Sequence, residues 1–276
     1  MAAPKPSSVY ASKHDPATLR THQWRTAANS AGHLLPHLKP NMTILDVGCG
    51  PGTITVDLAR NYVPQGHVTG VEYAEEPLRA AQEHAAALGV TNVTLTRGDV
   101  LNLSKDYPEE SFDVVYAHQV VQHVPDPVRA LREMRRVVKK GGIVAVRESA
   151  AMTWYPPSEG MDKWYKLYRT VATGLGGNPD PGSRLHVWAK EAGFAREDIS
   201  CSTGTWCFST PEERRWWSQI LAERLLAPSY IETVVEKGGY CSLEDLEELS
   251  QMWRDWGENE DGWFNITHGE IICRKT

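Results

Sequence analysis

The chain has 276 residues, of which 41% are hydrophobic and 23% are charged, and its net charge is −6. This length suits one large α/β domain with insertions or two small domains, and the composition is that of an ordinary globular protein. The acidic balance gives no general attraction to nucleic acid or anionic lipid, although a local basic patch stays possible. We expect no nucleic acid as a partner, and no stretch has the length of a membrane span.

The cysteines and the N-terminus bear on the compartment. The five cysteines are scattered and include no Cys-x-x-Cys pair, which favours free thiols in a reducing compartment over a zinc site or a disulfide framework. The N-terminus lacks the apolar region of a secretory signal. We therefore expect a cytoplasmic protein, a monomer or homodimer, with no metal site.

Short apolar segments alternate with helical patterns through the first half of the chain. Residues 1–14 are predicted to form a loose arm, and residues 15–38 a helix that Asp15 caps and Pro16 begins. The predicted strands are 41–47, 67–72, 93–97, 111–117 and 143–148, and the helices between them are 53–62, 76–88 and 126–139. This alternation predicts a doubly wound α/β domain with a parallel sheet.

The alternation ends near residue 150. The remaining predicted elements are an inserted helix and loop (151–178), a helix (181–194), a strand (199–208), two helices (216–226 and 243–256) and a last strand (264–274). We therefore expect an N-terminal arm and cap helix (1–38), a ligand-binding α/β core (39–150) and a remainder (151–276) whose segments 151–178 and 210–257 are Trp-rich lid insertions.

The sharpest motif is Asp46-Val47-Gly48-Cys49-Gly50-Pro51-Gly52, between a predicted strand and a predicted helix. Its glycines permit a tight turn and let a ligand approach the backbone. A dinucleotide fingerprint would have a third glycine where Thr53 stands, and a P-loop would continue with Gly-Lys-Ser/Thr. An acid beside the turn disfavours a pyrophosphate. It favours a cationic ligand such as S-adenosylmethionine, which Asp46 would contact directly or through water.

Two further acids end predicted strands. Glu72 follows Gly52 by 20 residues, a position from which a carboxylate accepts both hydroxyls of a ribose. Gly98-Asp99-Val100 ends the third strand and is the natural place for an adenine contact. Ligands of doubly wound folds bind outside the carboxyl ends of the strands, so these groups are expected to face one site.

These motifs together resemble class I S-adenosylmethionine-dependent methyltransferases. The segments that carry the resemblance are 46–52, 71–73, 98–100 and 112–115. The run 121–127, followed by Leu131 and Gly141-Gly142, is similar to the ubiquinone/menaquinone-biosynthesis type. Residues 15–38 and the Trp-rich tail resemble fungal members of that group, which are often linked to secondary metabolism.

The resemblance implies a seven-stranded, mostly parallel, Rossmann-like sheet whose seventh strand is antiparallel, with helical cap and lid insertions. It also implies a set of side chains and backbone groups that bind the cofactor. These are Arg25, Asp46, Gly48, Cys49, Gly50, Glu72, Tyr73, Gly98, Asp99, Val100, His118 and Gln119. Arg25 is expected near the carboxylate of the cofactor.

Three residues are candidate catalytic groups. His118 and His123 follow the fourth strand, where a histidine could act as a base toward a hydroxyl or thiol acceptor. Glu148 ends the fifth strand and could orient the acceptor, although it could equally pair with Arg147 or other neighbours. His123 could instead cap or pack the helix that follows it.

Nine of the ten tryptophans lie after residue 150, and they offer apolar and π surface for an aromatic acceptor. We expect Trp154 and Tyr155 to be the first of these to line the acceptor pocket. The sequence thus predicts methyl transfer to a small, aromatic or apolar metabolite on O, N, C or S. The alternatives left open are a different reaction that uses S-adenosylmethionine, a binding module without catalysis, and methylation of a nucleic acid or protein. The acidic charge and the Trp-rich lid speak against the last of these.

Overall fold

The computed structural model describes residues 15–276, so the predicted arm 1–14 lies outside the described residues. Seven strands form one sheet. Their bounds are β1 Thr43–Val47, β2 His67–Glu72, β3 Val93–Arg97, β4 Phe112–His118, β5 Val138–Tyr155, β6 Ile199–Phe208 and β7 Trp263–Arg274.

The spatial order of the strands is β3-β2-β1-β4-β5-β7-β6. Strands β1 to β5 pair in parallel, whereas β7 lies between β5 and β6 and is antiparallel to both. The order reverses between β1 and β4, so that the chain crosses to opposite sides of β1 and leaves a crevice at the carboxyl ends of the strands. The predicted seven-stranded, mostly parallel sheet with an antiparallel last strand is confirmed.

Within residues 15–276, ten α-helices of four residues or more pack around this sheet. They are α1 Pro16–Gln23, α2 Ala27–Ser30, α3 Thr53–Asp57, α4 Glu75–Ala87, α5 Pro127–Val137, α6 Glu159–Gly174, α7 Leu185–Glu191, α8 Pro211–Leu225, α9 Pro228–Ile231 and α10 Leu243–Glu258. No helix among residues 15–276 combines the length and the apolar character that crossing a bilayer requires. Side-chain caps define where several helices begin. At the start of α8 the Thr210 hydroxyl accepts the amide of Glu213, and the Glu213 carboxylate accepts the amide of Thr210.

Alternation along the strands gives the sheet two buried faces. Leu45 and Val115 enter the core that α5 and α7 cover, whereas Ile44 and Val114 enter the core on the opposite face. A third apolar cluster joins α6, α8 and α10 to the ends of β6 and β7 and contains the buried Trp253. This cluster lies beyond the carboxyl edge of the sheet and covers one side of the crevice.

Two predicted elements are wrong in extent. The single helix over 15–38 is interrupted, because Thr26 is extended and its hydroxyl accepts the amide of Asn29, which starts a new helix. The fifth strand does not end at residue 148 but runs to Tyr155, because it pairs with β7 as far as Trp263. The predicted insertion therefore begins with strand, and its helix is α6.

Candidate functional site

A cavity of about 300 Å³ lies at the carboxyl edge of the sheet. One end is polar and is bordered by the glycine-rich turn after β1, by Glu72 at the end of β2 and by Asp99 after β3. The other end is apolar and lies beneath α6 and α8. The segment after β4, residues 119–124, borders the cavity between these ends. A ligand in the polar end and one in the apolar end would therefore meet beside this segment.

The turn after β1 is built around glycines in the left-handed region. Gly52, with φ +76°, packs so tightly that an added Cβ would meet that of Ala81 at 2.7 Å. Gly50, with φ +55°, differs, since a Cβ there would meet no atom of the described chain within 4 Å. Close packing against Ala81 thus requires a glycine at position 52, whereas Gly50 presents bare backbone to the open cavity.

Glu72 is held by the backbone of two loops. Its Oε2 accepts the amide of Gly50 at 3.0 Å, and its Oε1 accepts the amide of Ala74 at 2.9 Å. Both loops border the cavity, as does Glu72 itself. A carboxylate fixed in this way stays in one orientation at the end of its strand, with remaining lone pairs for a ligand.

Asp46 borders the cavity but is only 3% exposed, and the hydroxyl of Thr55 donates to its Oδ2 at 2.6 Å. Burial raises the pKa of Asp46 to about 7, against the lowering effect of the Thr55 bond. Near neutral pH the carboxyl is therefore only partly ionised. The contact of Asp46 with a cationic ligand, directly or through water, stays a prediction.

The other predicted groups at the polar end also border the cavity; they are Cys49, Gly48, Tyr73, Gly98, Asp99 and Val100. Asp99 accepts the amide of Leu101 at 2.9 Å and so fixes the turn after β3. Tyr73 is 44% exposed and its ring lies against the guanidinium of Arg97. Burial raises the pKa of the Cys49 thiol, which therefore packs as an uncharged group.

Arg25 and Gln119 meet at the cavity from distant parts of the chain. The Arg25 Nη2 donates to Gln119 Oε1 at 2.7 Å, and the guanidinium lies over the ring of Trp206. Gln119 has a positive φ of 54° and its Nε2 lies 3.1 Å from His268 Nε2. The contact ties the connection after α1 to the segment after β4.

His118 and His123 both border the cavity, but they differ in how deeply they are buried. His118 is 5% exposed, and both of its ring nitrogens are buried without a partner in the described chain. Burial, together with the positive charges of Arg25 and Arg147, lowers the pKa of His118 well below its usual value, so the ring is neutral. His123 ends the turn after β4 and is only partly buried.

Glu148 does not stand where a group that orients an acceptor would stand, since it lies outside the residues that border the cavity in the described chain. It is fully buried, and its Oε1 accepts the amides of Val120 and Val121 at 2.7 Å each. Burial raises the pKa of Glu148 to about 8, although these amides lower it. Nor does it pair with Arg147, which contacts Glu270 at 3.4 Å. Its observed contact is with the backbone after β4.

The apolar end is lined by aromatic and aliphatic side chains from α6 and the residue after it, from α8 and α9, and from the paired strands. They are Met152, Trp164, Tyr168, Val171, Leu175, Trp206, Trp217, Leu221, Leu225, Tyr230 and Ile266. Trp154 and Tyr155, which we expected first, are not in this lining as the structure describes it. Trp154 stacks beside Phe264, and Tyr155 is 54% exposed.

Several polar groups in the lining escaped the sequence analysis, namely Ser149, Gln122, Asn178 and Arg224. Asn178 donates from its backbone to the carbonyl of Gln122 at 2.8 Å and from its side chain to that of Val124 at 3.2 Å. The only available signal was the run Gly176-Gly177-Asn178-Pro179-Asp180, which indicates a loop but not its partners.

Comparison with known proteins gives consistent matches. A family model described as a methyltransferase domain matches residues 38–193. An uncharacterized methyltransferase from Schizosaccharomyces pombe is 33% identical over 100% of this chain and 99% of its own length. The probable methyltransferase ltbC from Aspergillus luteorubrus is 30% identical over 100% of both chains. The crystal structure of the YcgJ protein from Bacillus subtilis, 18% identical, has a TM-score of 0.58 and covers 89% of this chain and 97% of that one.

Proposed function

This chain belongs to the class I S-adenosylmethionine-dependent methyltransferases, and on that premise we propose that it methylates a small aromatic or apolar metabolite. The observation that carries the proposal is the division of one cavity into a polar and an aromatic end. A polar end beside an aromatic one suits a charged cofactor and an apolar acceptor bound side by side.

The polar end fits the cofactor on two observations. Gly50 leaves open space where any side chain would stand, and Glu72 holds a carboxylate at the end of β2. S-adenosylmethionine supplies an electrophilic methyl group on a sulfonium centre. We assign its ribose hydroxyls to Glu72, its adenine to Gly98-Asp99-Val100 and its carboxylate to Arg25.

The remaining residues at the polar end have supporting roles in this proposal. Gly48, Cys49 and Gly50 present backbone to the cofactor, and Tyr73 covers the ribose side. Gln119 holds Arg25 in place through the 2.7 Å hydrogen bond. Asp46 lies beneath the turn and contributes polarity rather than a full charge, because its pKa is raised to about 7.

The aromatic end favours an acceptor with a flat apolar body. Trp164 packs at right angles to Trp253, and Trp217 stacks on Phe208 with ring centroids 4.3 Å apart. These contacts fix the rings before a substrate arrives, so little side-chain entropy is lost on binding. Holding an acceptor in one orientation is the main contribution that such a site makes to a displacement reaction.

Of the two histidines, His123 is the better candidate for a base. A general base must reach the proton it removes, and the buried nitrogens of His118 have no such access. His123 is partly exposed and borders the cavity. We therefore assign the base role to His123, for acceptors that carry a proton, and assign His118 to the wall. Glu148 would act indirectly, by holding the segment that carries both.

A calorimetric titration and a methyl-transfer assay test the proposal in that order. Calorimetry with S-adenosylmethionine, S-adenosylhomocysteine and NAD should show binding of the first two and not of NAD. Labelled methyl transfer should then be measured with a panel of hydroxylated aromatic compounds, against aliphatic acids and short peptides of similar size. Transfer confined to the aromatic panel supports the acceptor class. Transfer confined to the other compounds refutes it, and cofactor binding without transfer to any acceptor favours the binding-module alternative.

A further inference from the structure

Ser149 lies in the second half of β5, in the wall of the cavity. Ser149 is 2% exposed and borders the cavity. The pairing of β5 with β7 shifts register between Ser149 and Ala151, which marks a bulge at this point. Bulges re-aim the side chains beside them, and they recur next to active sites.

The proton of this hydroxyl is already committed. Ser149 Oγ lies 2.9 Å from Asp180 Oδ1. A carboxylate can only accept hydrogen bonds, so the serine must be the donor. A hydroxyl has one proton and two lone pairs. Ser149 therefore has only acceptor capacity left for anything that binds in the cavity.

Asp180 is fixed by groups on its other side. The hydroxyl of Tyr165 donates to Asp180 Oδ2 at 2.5 Å, and Arg169 Nε lies 3.6 Å from the same oxygen. Burial and the bond to Asp180 raise the pKa of Tyr165, so this phenol keeps its proton and remains a donor. With both oxygens occupied, Asp180 cannot turn away from Ser149.

The backbone around Asp180 is also held in place. Asp180 itself has a positive φ of 52°, and Asn178, two residues before it, is bonded to the segment after β4. Asn178 and Pro179 border the cavity beside Ser149. The Tyr165 side chain on α6, the loop that carries Asp180 and the bulge in β5 thus all contribute to the orientation of the Ser149 hydroxyl.

We propose that Ser149 is a specificity-determining residue that accepts a hydrogen bond from a hydroxyl or amino group of the methyl acceptor. Asp180 and Tyr165 are positioning residues, since they act through Ser149. The inference rests on the proposed function and deepens it, because it selects acceptors that carry a donor over equally apolar molecules without one. A phenolic ring fits both the aromatic walls and the hydroxyl of Ser149.

The test compares two probes of nearly equal shape, 2-naphthol and 2-fluoronaphthalene, which differ in the donor. Each is titrated calorimetrically into the protein saturated with S-adenosylhomocysteine. Wild-type protein should bind the naphthol roughly 5- to 20-fold more tightly, the range of one well-placed hydrogen bond. Ser149→Ala should reduce that ratio to near 1 while leaving the affinity for 2-fluoronaphthalene unchanged, and Ser149→Thr should restore it.

Ser250→Ala is the matched control. Ser250 is also 2% exposed and also donates its hydroxyl, to the carbonyl of Ala222, but it lies outside the cavity lining. This variant should keep the wild-type ratio. Asp180→Asn and Tyr165→Phe should lower the ratio part of the way, because each loosens the orientation of Ser149 without removing it. A general loss of packing would weaken both probes equally and so would not move the ratio.

The outcomes separate this inference from the proposed function. If neither probe binds, the aromatic acceptor class is refuted and the role of Ser149 is refuted with it. If both bind with equal affinity to wild-type protein, or if the preference for the naphthol survives in Ser149→Ala, only the inference is overturned. A preference that disappears in Ser149→Ala and persists in Ser250→Ala establishes it.

Discussion

Replacing Gly50 by alanine is the most direct test of where the cofactor lies. The added Cβ would meet no described atom within 4 Å, so the protein itself has room for it. The remaining cost to folding is the left-handed conformation at φ +55°, which for an alanine is about 1–2 kcal/mol. For a chain of this size that corresponds to a fall in Tm of roughly 2–8 °C.

The cost to binding is of a different kind. In our assignment the cofactor packs against the bare backbone at Gly50, so the methyl group would occupy its space. Overpacking of this kind costs about 1–3 kcal/mol, which corresponds to a loss of affinity of roughly 5- to 150-fold. A valine would extend further into the cavity and should abolish binding.

Gly89→Ala provides the control. Gly89 has a φ of +64° and equally open surroundings, but it lies at the end of α4 and outside the cavity lining. Both alanine variants should therefore lose similar stability in thermal unfolding without ligand. Only Gly50→Ala should lose affinity for S-adenosylhomocysteine in calorimetry. Equal affinities in the two variants would mean that the cofactor does not approach the turn after β1, and the assignment of the polar end would fail.

Three further predictions follow from the same geometry. Glu72→Ala should weaken S-adenosylmethionine binding roughly tenfold or more, because it removes the proposed acceptor of the ribose hydroxyls; unchanged affinity in calorimetry, with the fold intact by circular dichroism, would reject that role. The folded-state pKa of Glu148 is raised from 4.5 to about 8, so its protonated form stabilises the fold below pH 4.5 and this contribution is lost as the pH rises toward 8. Glutamine does not titrate, so the stability of Glu148→Gln relative to wild type should increase as the pH rises from 5 to 8 in thermal melts. Parallel pH profiles of the two proteins would contradict the raised pKa. With a hydroxylated acceptor, His123→Ala should lower kcat roughly 100-fold, whereas His118→Ala should lower it far less; the reverse pattern in rate measurements would exchange their roles.

Much of the fold could be predicted because it depends on local signals. The first five strands are short apolar segments that alternate with helical patterns in the sequence, and parallel strands place their carboxyl ends at one edge. Val47 pairs with Val71, so the turn after β1 and Glu72 necessarily meet. The neighbourhood of Gly50 and Glu72 follows from topology alone, without any knowledge of side-chain packing.

The acceptor end could not be predicted in the same way. Trp154 and Trp164 are both aromatic residues that follow residue 150, but the first lies near the end of β5 and the second on the inward face of α6. Which of them faces the cavity depends on how α6 meets α8 and α10, and no local pattern encodes that packing. The same limit explains Glu148, whose partners are backbone amides that carry no signature in the sequence.

The segment after β4 connects the polar end of the cavity to the acceptor end. Gln119 holds Arg25 at the polar end, and His123 borders the cavity four residues later. Glu148 accepts the amides of Val120 and Val121, so one buried carboxyl holds the backbone between Gln119 and His123. Because methyl transfer depends chiefly on the alignment of two bound molecules, a change at Glu148 should alter kcat more than either binding constant, although Glu148 borders neither ligand.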